Sequence, residues 1–216
     1  PKIGFDTANV TPPSTGQIAW NQDERTIDVG VNGVTLQVGQ EQLTNVRNNT
    51  GSLILNKTVL MATGTIGASG RVTVAPYAGG DPKYILGIAT EDIGAGLDGF
   101  VTSFGKVRGI DTSMWAEGAV LYAATAGGLT ATEPTTGVKV PVAFVVSSHA
   151  TTGTLFVRVT PVDLNAYQPK DAALTSISAL TTAADKMIYT TALDTYATTT
   201  VTAAARTILD DTSVAA

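Results

Sequence analysis

Between residues 41 and 160 the apolar residues come only in short runs, and this limits what the chain can fold into more than any other feature. The runs include Val59–Met61, Val72–Val74, Tyr84–Ala89, Phe100–Phe104, Val107–Ile110, Ala119–Tyr122, Val140–Val146 and Leu155–Val159. Breakers separate them: Asn48-Asn49-Thr50-Gly51, Gly79-Gly80-Asp81-Pro82, Gly94–Gly99, Gly127-Gly128 and Thr151-Thr152-Gly153. Such runs have the length of strands, and no segment here keeps a 3.6-residue period. Strands spaced by roughly 8–12 residues with turn signals between them predict an all-β sandwich or barrel.

Ahead of this region, Ile27, Val29 and Val31 alternate with Asp28 and Gly30, then Val34, Leu36 and Val38 alternate with Thr35 and Gln37. Asn32-Gly33 joins the two runs. Both central residues of a type I′ turn need positive φ, so the pattern predicts a β-hairpin with one aliphatic and one polar face. A two-stranded hairpin is marginal in water. Its aliphatic face is therefore expected to lie on a domain or on copies of itself. The segment before it, Thr7 to Gln17, is rich in Pro, Thr, Ser and Asn. Pro12-Pro13 stiffens the backbone as polyproline II and cannot join a central strand. It reads either as an extended arm that docks on a neighbour or as a frayed terminus.

After residue 160 the texture changes: Ala and Thr dominate. Leu174, Ile177 and Leu180 are three apart, as on one face of a short helix, and Asp171 is placed to cap it. A second short helix fits Thr202–Asp210, with Ile208 and Leu209 among its apolar positions, and Met187-Ile188-Tyr189 reads as extended. Neither apolar stripe is wide enough for a core, so these elements are expected to pack against symmetry mates. The chain ends with Asp210-Asp211-Thr212-Ser213-Val214-Ala215-Ala216, without a terminating motif, and a longer natural chain is expected.

Charged residues make up only 14% of the chain and the net charge is −5, against roughly 25% charged in a typical domain. A chain so poor in charge is expected to have much of its surface covered by repeated assembly. No Lys/Arg run reaches three, which argues against nucleic-acid binding. There is no Cys, which removes disulfides, thiolate metal sites and thiol catalysis. No signal peptide and no membrane helix are expected.

Two stretches carry a family resemblance. Asp171 to Lys186 reads Asp-Ala-Ala-Leu-Thr-Ser-Ile-Ser-Ala-Leu-Thr-Thr-Ala-Ala-Asp-Lys, and Ala205-Arg206-Thr207-Ile208-Leu209-Asp210-Asp211 follows it. Together they resemble shaft modules of phage tail-fibre and tail-spike proteins. Gly87-Ile88-Ala89-Thr90-Glu91-Asp92-Ile93, Gly105-Lys106-Val107-Arg108-Gly109 and Gly118-Ala119-Val120-Leu121-Tyr122 are similar in order to N-terminal regions of phage head or tail fibres, and also to small β-barrel capsid decoration proteins. The resemblance implies a virion component, on head or tail, assembled in a bacterial cytoplasm.

Enzymatic chemistry finds little support. Gly94-Ala-Gly-Leu-Asp-Gly99 matches G-x-G-x-x-G, but strand-like Phe100–Phe104 follows where a dinucleotide site needs a helix. His149 is the only histidine, and no G-x-S-x-G elbow accompanies it. Asp23-Glu24, Glu91-Asp92 and Asp210-Asp211 are weighed as glycosidase carboxylates and read as strand ends and loops. The spacing of an EF-hand calcium loop is absent. Asn9, Asn48 and Asn56 head chance glycosylation sequons. Trp20, Trp115, Tyr122 and Phe104 read as core or interface anchors. Gly87, Gly105, Gly109 and Gly118 are expected where positive φ or close backbone approach is needed.

The expectation is a mainly β protein in three parts: an N-terminal arm and hairpin (1–40), a β-barrel or sandwich body (41–160) and a short α/β trimeric shaft segment (161–216). It is expected to be a structural phage protein, not an enzyme, with no cofactor and no metal. Pro12, Pro13, Trp20, Val34 and Leu36 would dock on the particle. Leu174, Ile177, Leu180, Ile208 and Leu209 would meet at a three-fold axis. Partners would be further copies of the chain, capsid or tail proteins, and a host surface glycan through distal parts. A capsid decoration protein is the main alternative, and a glycan-binding module a further one, for which the sequence shows no aromatic cluster.

Overall fold

The computed structural model describes residues 2–8, 11–67, 70–134, 139–159, 171–181 and 183–209. The chain divides into two units, Pro1–Asp163 and Leu164–Ala216.

The first unit opens with a three-stranded antiparallel sheet of β1 (Ile18–Asn21), β2 (Thr26–Val31) and β3 (Val34–Gln37). The expected hairpin is β2–β3, with Val31 opposite Val34. Asn32 and Gly33 have φ of 40° and 90°, as a type I′ turn requires.

Nine further strands follow: β4 (Gln42–Asn48), β5 (Val59–Ile66), β6 (Arg71–Pro76), β7 (Ile85–Ala89), β8 (Asp98–Ile110), β9 (Val120–Ala123), β10 (Leu129–Thr130), β11 (Pro141–Ser147) and β12 (Gly153–Arg158). β4 pairs β6, β6 pairs β5, β5 pairs β7, β7 pairs β8 and β8 pairs β4, so five strands close into a barrel. Only the β4–β6 pair of this ring is parallel. The body is thus a barrel, and closure removes the exposed edges that an open sheet would offer. β8 is 13 residues long and serves two structures. Its first half belongs to the barrel, and its second half pairs with β12, from which β11, β9 and β10 extend in turn.

Two cores result. One gathers Val46, Ile54, Leu60, Val74, Ala89 and Val101. The other gathers Val59, Ile88, Val107, Leu121, Val145 and Leu155, with further neighbours. Val59 and Leu60 are consecutive, so they point to opposite faces, and both are fully buried. The start of β5 and most of β7 are therefore covered on both sides. This is why Tyr84–Ala89 is continuously apolar instead of alternating.

Asn48 ties the end of β4 to the neighbouring loops at Thr50–Ser52 and Ile93–Gly94. It is fully buried. Its Nδ2 donates to the carbonyls of Ser52 and Ile93, both at 2.8 Å, and of Gly94 at 3.1 Å, while its Oδ1 accepts from the backbone N–H and hydroxyl of Thr50. The sequon headed by Asn48 is spent inside the fold. Gly94–Leu97 forms a turn into β8, with Leu97 N–H bonded to the Gly94 carbonyl at 3.0 Å. No helix follows it, as the sequence indicates.

In the second unit, α1 (Ala172–Ser178) begins at Asp171, whose Oδ1 accepts from the N–H groups of Ala173 and Leu174. β13 (Lys186–Ala192) and β14 (Thr195–Thr200) form an antiparallel hairpin, and α2 (Ala203–Leu209) follows. α1 lies along β14, and the Tyr196 N–H donates to Ser176 Oγ at 2.8 Å. Arg206 of α2 pairs with Asp185 ahead of β13.

Candidate assembly and binding surfaces

The β1–β3 sheet sorts its side chains by register. Ile18 opposes Val29, which opposes Leu36, and Trp20 opposes Ile27. Opposed residues share a face. Ile18, Trp20, Ile27, Val29, Val31 and Leu36 thus form one apolar face, and Val34 ends it. The buried side is the other one: Thr26, Asp28 and Gln37 are each less than 9% exposed. Ile27, Val29, Val31, Leu36 and Trp20 are half-buried, while Ile18 and Val38 are exposed. Neither core includes any residue of the apolar face among the described residues.

Local polar contacts explain this inversion. Pro13 and Ser14 cross the polar face at Gly30, where a Cβ would sit 2.1 Å from the Ser14 carbonyl oxygen and 2.6 Å from that of Pro13. Gly16 N–H donates to the Gly30 carbonyl at 2.8 Å, and Gly30 N–H to the Gln17 carbonyl at 3.0 Å. This part of the arm is therefore seated on its own sheet. Arg108 of β8 reaches the same side, donating to Gln37 Oε1 at 2.5 Å and to Glu41 Oε1 at 2.6 Å, and Lys106 pairs with Glu24. Asp28 Oδ2 accepts from Asn21 Nδ2, and its buried Oδ1 has no partner among the described residues. A cavity of about 90 Å³ beside it, lined by Thr11, Pro12, Trp20 and Asp23, has room for ordered water.

A second surface lies on the outer face of the extended sheet. Leu155 and Val157 of β12 point inward and are fully buried. Phe156 between them points outward, opposite Phe144 of β11 and Lys106 of β8. Phe144 stacks on Phe156 with ring centres 5.1 Å apart, and Phe104 meets Phe156 edge-on at 5.2 Å. Phe104 and Phe144 are each 39% exposed, Val120 is exposed opposite Phe144, and Val146 is exposed further along β11. An aromatic cluster is therefore present. It joins the consecutive strands β11 and β12 to the distant β8, and the pairing register assembles it.

The third surface is the C-terminal unit. No described residue from 171 to 209 is buried. Leu174 is 49% exposed, Ile177 37%, Ile188 44% and Ile208 77%. Leu180 is half-buried. Leu209 closes α2, and its side chain lies outside the described residues. Of the docking residues expected near the N-terminus, Pro12 is exposed, Pro13, Trp20 and Leu36 are half-buried and Val34 is buried.

His149, Glu91 and Asp92, weighed for catalysis, have structural roles, while Asp210 and Asp211 lie outside the described residues. His149 sits in an exposed turn, where Nδ1 accepts from the N–H groups of Thr151 and Thr152. Glu91 Oε1 accepts from Phe100 N–H at 3.0 Å, and burial raises its pKa above 4.5 despite that bond. Asp92 Oδ1 accepts from Asn56 N–H at 2.7 Å. Hydrogen bonds from the Ser113 hydroxyl and N–H lower the pKa of Asp111. Trp115 packs on a core edge beneath Lys57 Nζ, 5.4 Å from its ring. Among the described residues no cluster of three His, Cys, Asp or Glu could hold a metal, and no helix is long and apolar enough to cross a membrane.

No family model and no curated protein matches the chain. Among solved structures it is similar to the N base of the head fibre protein of bacteriophage phi29. That likeness has 13% identity and a TM-score of 0.35, and it covers 56% of this chain and 99% of that one.

Proposed function

We propose that the chain is a structural subunit of a bacteriophage particle, a fibre or spike protein that works by assembly and not by catalysis. The C-terminal unit carries this reading. It presents Leu174, Ile177, Met187, Ile188, Tyr189 and Ile208 to solvent and buries none of its described side chains. A unit of this size is marginal alone, and slightly smaller ones usually need disulfides, metals or oligomerisation to fold. The chain has no cysteine, and none of the unit's described side chains is fully buried to offset its conformational entropy. Copies packed about a common axis supply what is missing. The stripes are narrow, one or two residues per turn, and three copies suit them.

The resemblance of this segment to tail-fibre shaft modules points the same way. In this reading the barrel is the packed body, and the apolar face of β1–β3, with the exposed part of the arm, docks on the particle. A capsid decoration protein would share the body, but the solvent-facing C-terminal unit favours a projecting fibre.

Native mass measurement of the full chain at micromolar concentration is expected to give a trimer, and a monomer would refute assembly through this unit. Labelled antibody on intact particles then separates head from tail. Its absence from purified virions would end the phage reading.

A further inference from the structure

A cleft of about 270 Å³ runs between the β3–β4 connection and the outer face of β8 and β12. Its two walls differ in chemistry. Phe104 and Phe156 form one wall, Gln37, Gln40 and Glu41 form the other, and Lys106 stands at the rim.

The aromatic wall is set before any ligand arrives. Phe156 is braced by the stacked Phe144 ring and by the edge of Phe104. Rings fixed in this way lose little freedom on binding.

The polar wall is also set. Arginine has only donors, so its bond to Gln37 Oε1 fixes which way that amide faces. The Gln37 oxygen is spent, and its NH₂ group, which accepts nothing and has no acceptor among the described residues, is left to donate. Gln40 has the opposite polarity: its Nε2 donates to the Glu24 carbonyl at 2.8 Å, leaving Oε1 to accept. Beside the cleft β8 packs closely on the β3–β4 connection, since a Cβ on Gly105 would lie 2.6 Å from Glu41 Cγ and 2.8 Å from the Gln40 carbonyl oxygen.

We propose that this cleft binds one pyranose ring of a polysaccharide. A pyranose has the same two-sided character. Its C–H face suits an aromatic surface, and its hydroxyls each donate and accept. Neighbouring hydroxyls satisfy the Gln37 donor and the Gln40 acceptor together. A purely apolar ligand would strip water from the Gln37 amide and give it no partner in return. The cleft is smaller than the roughly 300–1,000 Å³ of drug-sized pockets, so it suits a single ring.

The proposal does not depend on the assembly reading, because the readout is ligand binding and not mass. Saturation-transfer NMR and calorimetry on the full chain would use methyl glycosides of glucose, galactose and N-acetylglucosamine. At least one is expected to bind with a dissociation constant on the order of 1 mM. Phe156→Ala and Gln37→Leu are each expected to weaken binding about tenfold or more, and Phe156→Tyr to keep it. Thermal melting checks that each variant folds. Phe104→Leu at the exposed rim serves if Phe156→Ala does not. No binding of any of the three glycosides overturns the proposal. So does binding that survives both Gln37→Leu and loss of the ring. A multimer that dissociates on Phe144→Ser, without glycoside binding, would make this face a contact between copies and equally overturn it.

Discussion

Glu91 shows how one carboxylate can join two strands and carry an electrostatic cost. Its Oε1 accepts from Phe100 N–H, which favours the charged form, yet desolvation outweighs that bond and raises the pKa. The folded chain therefore holds this proton more tightly than the unfolded chain does. The group supports folding below the ordinary Glu value of 4.5, and that contribution is lost as pH rises through the raised folded value. Glu91→Gln keeps an acceptor for Phe100 and removes the charge. The variant is expected to melt above the parent at pH 7, with the gap closing below pH 4.5. The gap should be modest, because the carboxylate is only partly buried. Melting curves across pH check this, and a variant that melts lower than the parent at pH 7 would show that the charged form is the stabilising one.

At the scale of elements, the barrel depends on how closely β7 approaches β8. Ile88 and Ala89 pair with Thr102 and Val101, and Gly87 precedes them. A Cβ at Gly87 would lie 2.1 Å from the Thr102 carbonyl oxygen and 2.9 Å from Val101 Cγ1. The first obstacle is backbone in the middle of a sheet, so no rotamer change relieves it. Gly87→Ala is expected to cost about 4 kcal/mol or more, measured by denaturant unfolding; a loss under about 1 kcal/mol would mean that the ring is not closed there. How much of such an element can be read from sequence depends on where its determinants lie. The β2–β3 turn is legible because Asn32-Gly33 sets it locally. Which face of the hairpin is covered is not, because Ser14, Arg108 and Glu41 decide it from elsewhere in the chain. β4 escapes notice because Gln42–Asn48 contains no apolar run and puts only Val46 into a core. Phe100–Phe104 and Val107–Ile110 read as two strands, but Gly105, at φ 113°, lets β8 continue through. The exposed stripe of Leu174 and Ile177 is legible from its spacing, whereas the Phe104–Phe144–Phe156 cluster depends on pairings that no local pattern encodes.

At the scale of the whole molecule, the two units differ in what stabilises them. The body buries Val59 and Leu60 of β5 and most of β7 between two cores, so their amides should open only with global unfolding, at about 5–15 kcal/mol. Nothing comparable protects the β13–β14 hairpin. Its strand faces carry Met187 and Tyr189 on one side and Ile188 and Tyr196 on the other, while α1 lies along β14. A single chain leaves Met187, Ile188 and Tyr189 in water. If further copies cover them, the stability of this hairpin must rise with protein concentration by mass action, whereas that of the barrel must not. Hydrogen–deuterium exchange separates the two. Amides of β13 and β14 are expected to exchange at least about tenfold more slowly at tens of micromolar than at tens of nanomolar, with β5 and β7 unchanged. Ile188→Ser should abolish the concentration dependence at the C-terminus and leave the body's protection intact. Protection of β13 and β14 that is already strong and flat across that range would mean the hairpin holds its fold as a single chain, and the exposed side chains would then need an explanation other than self-assembly.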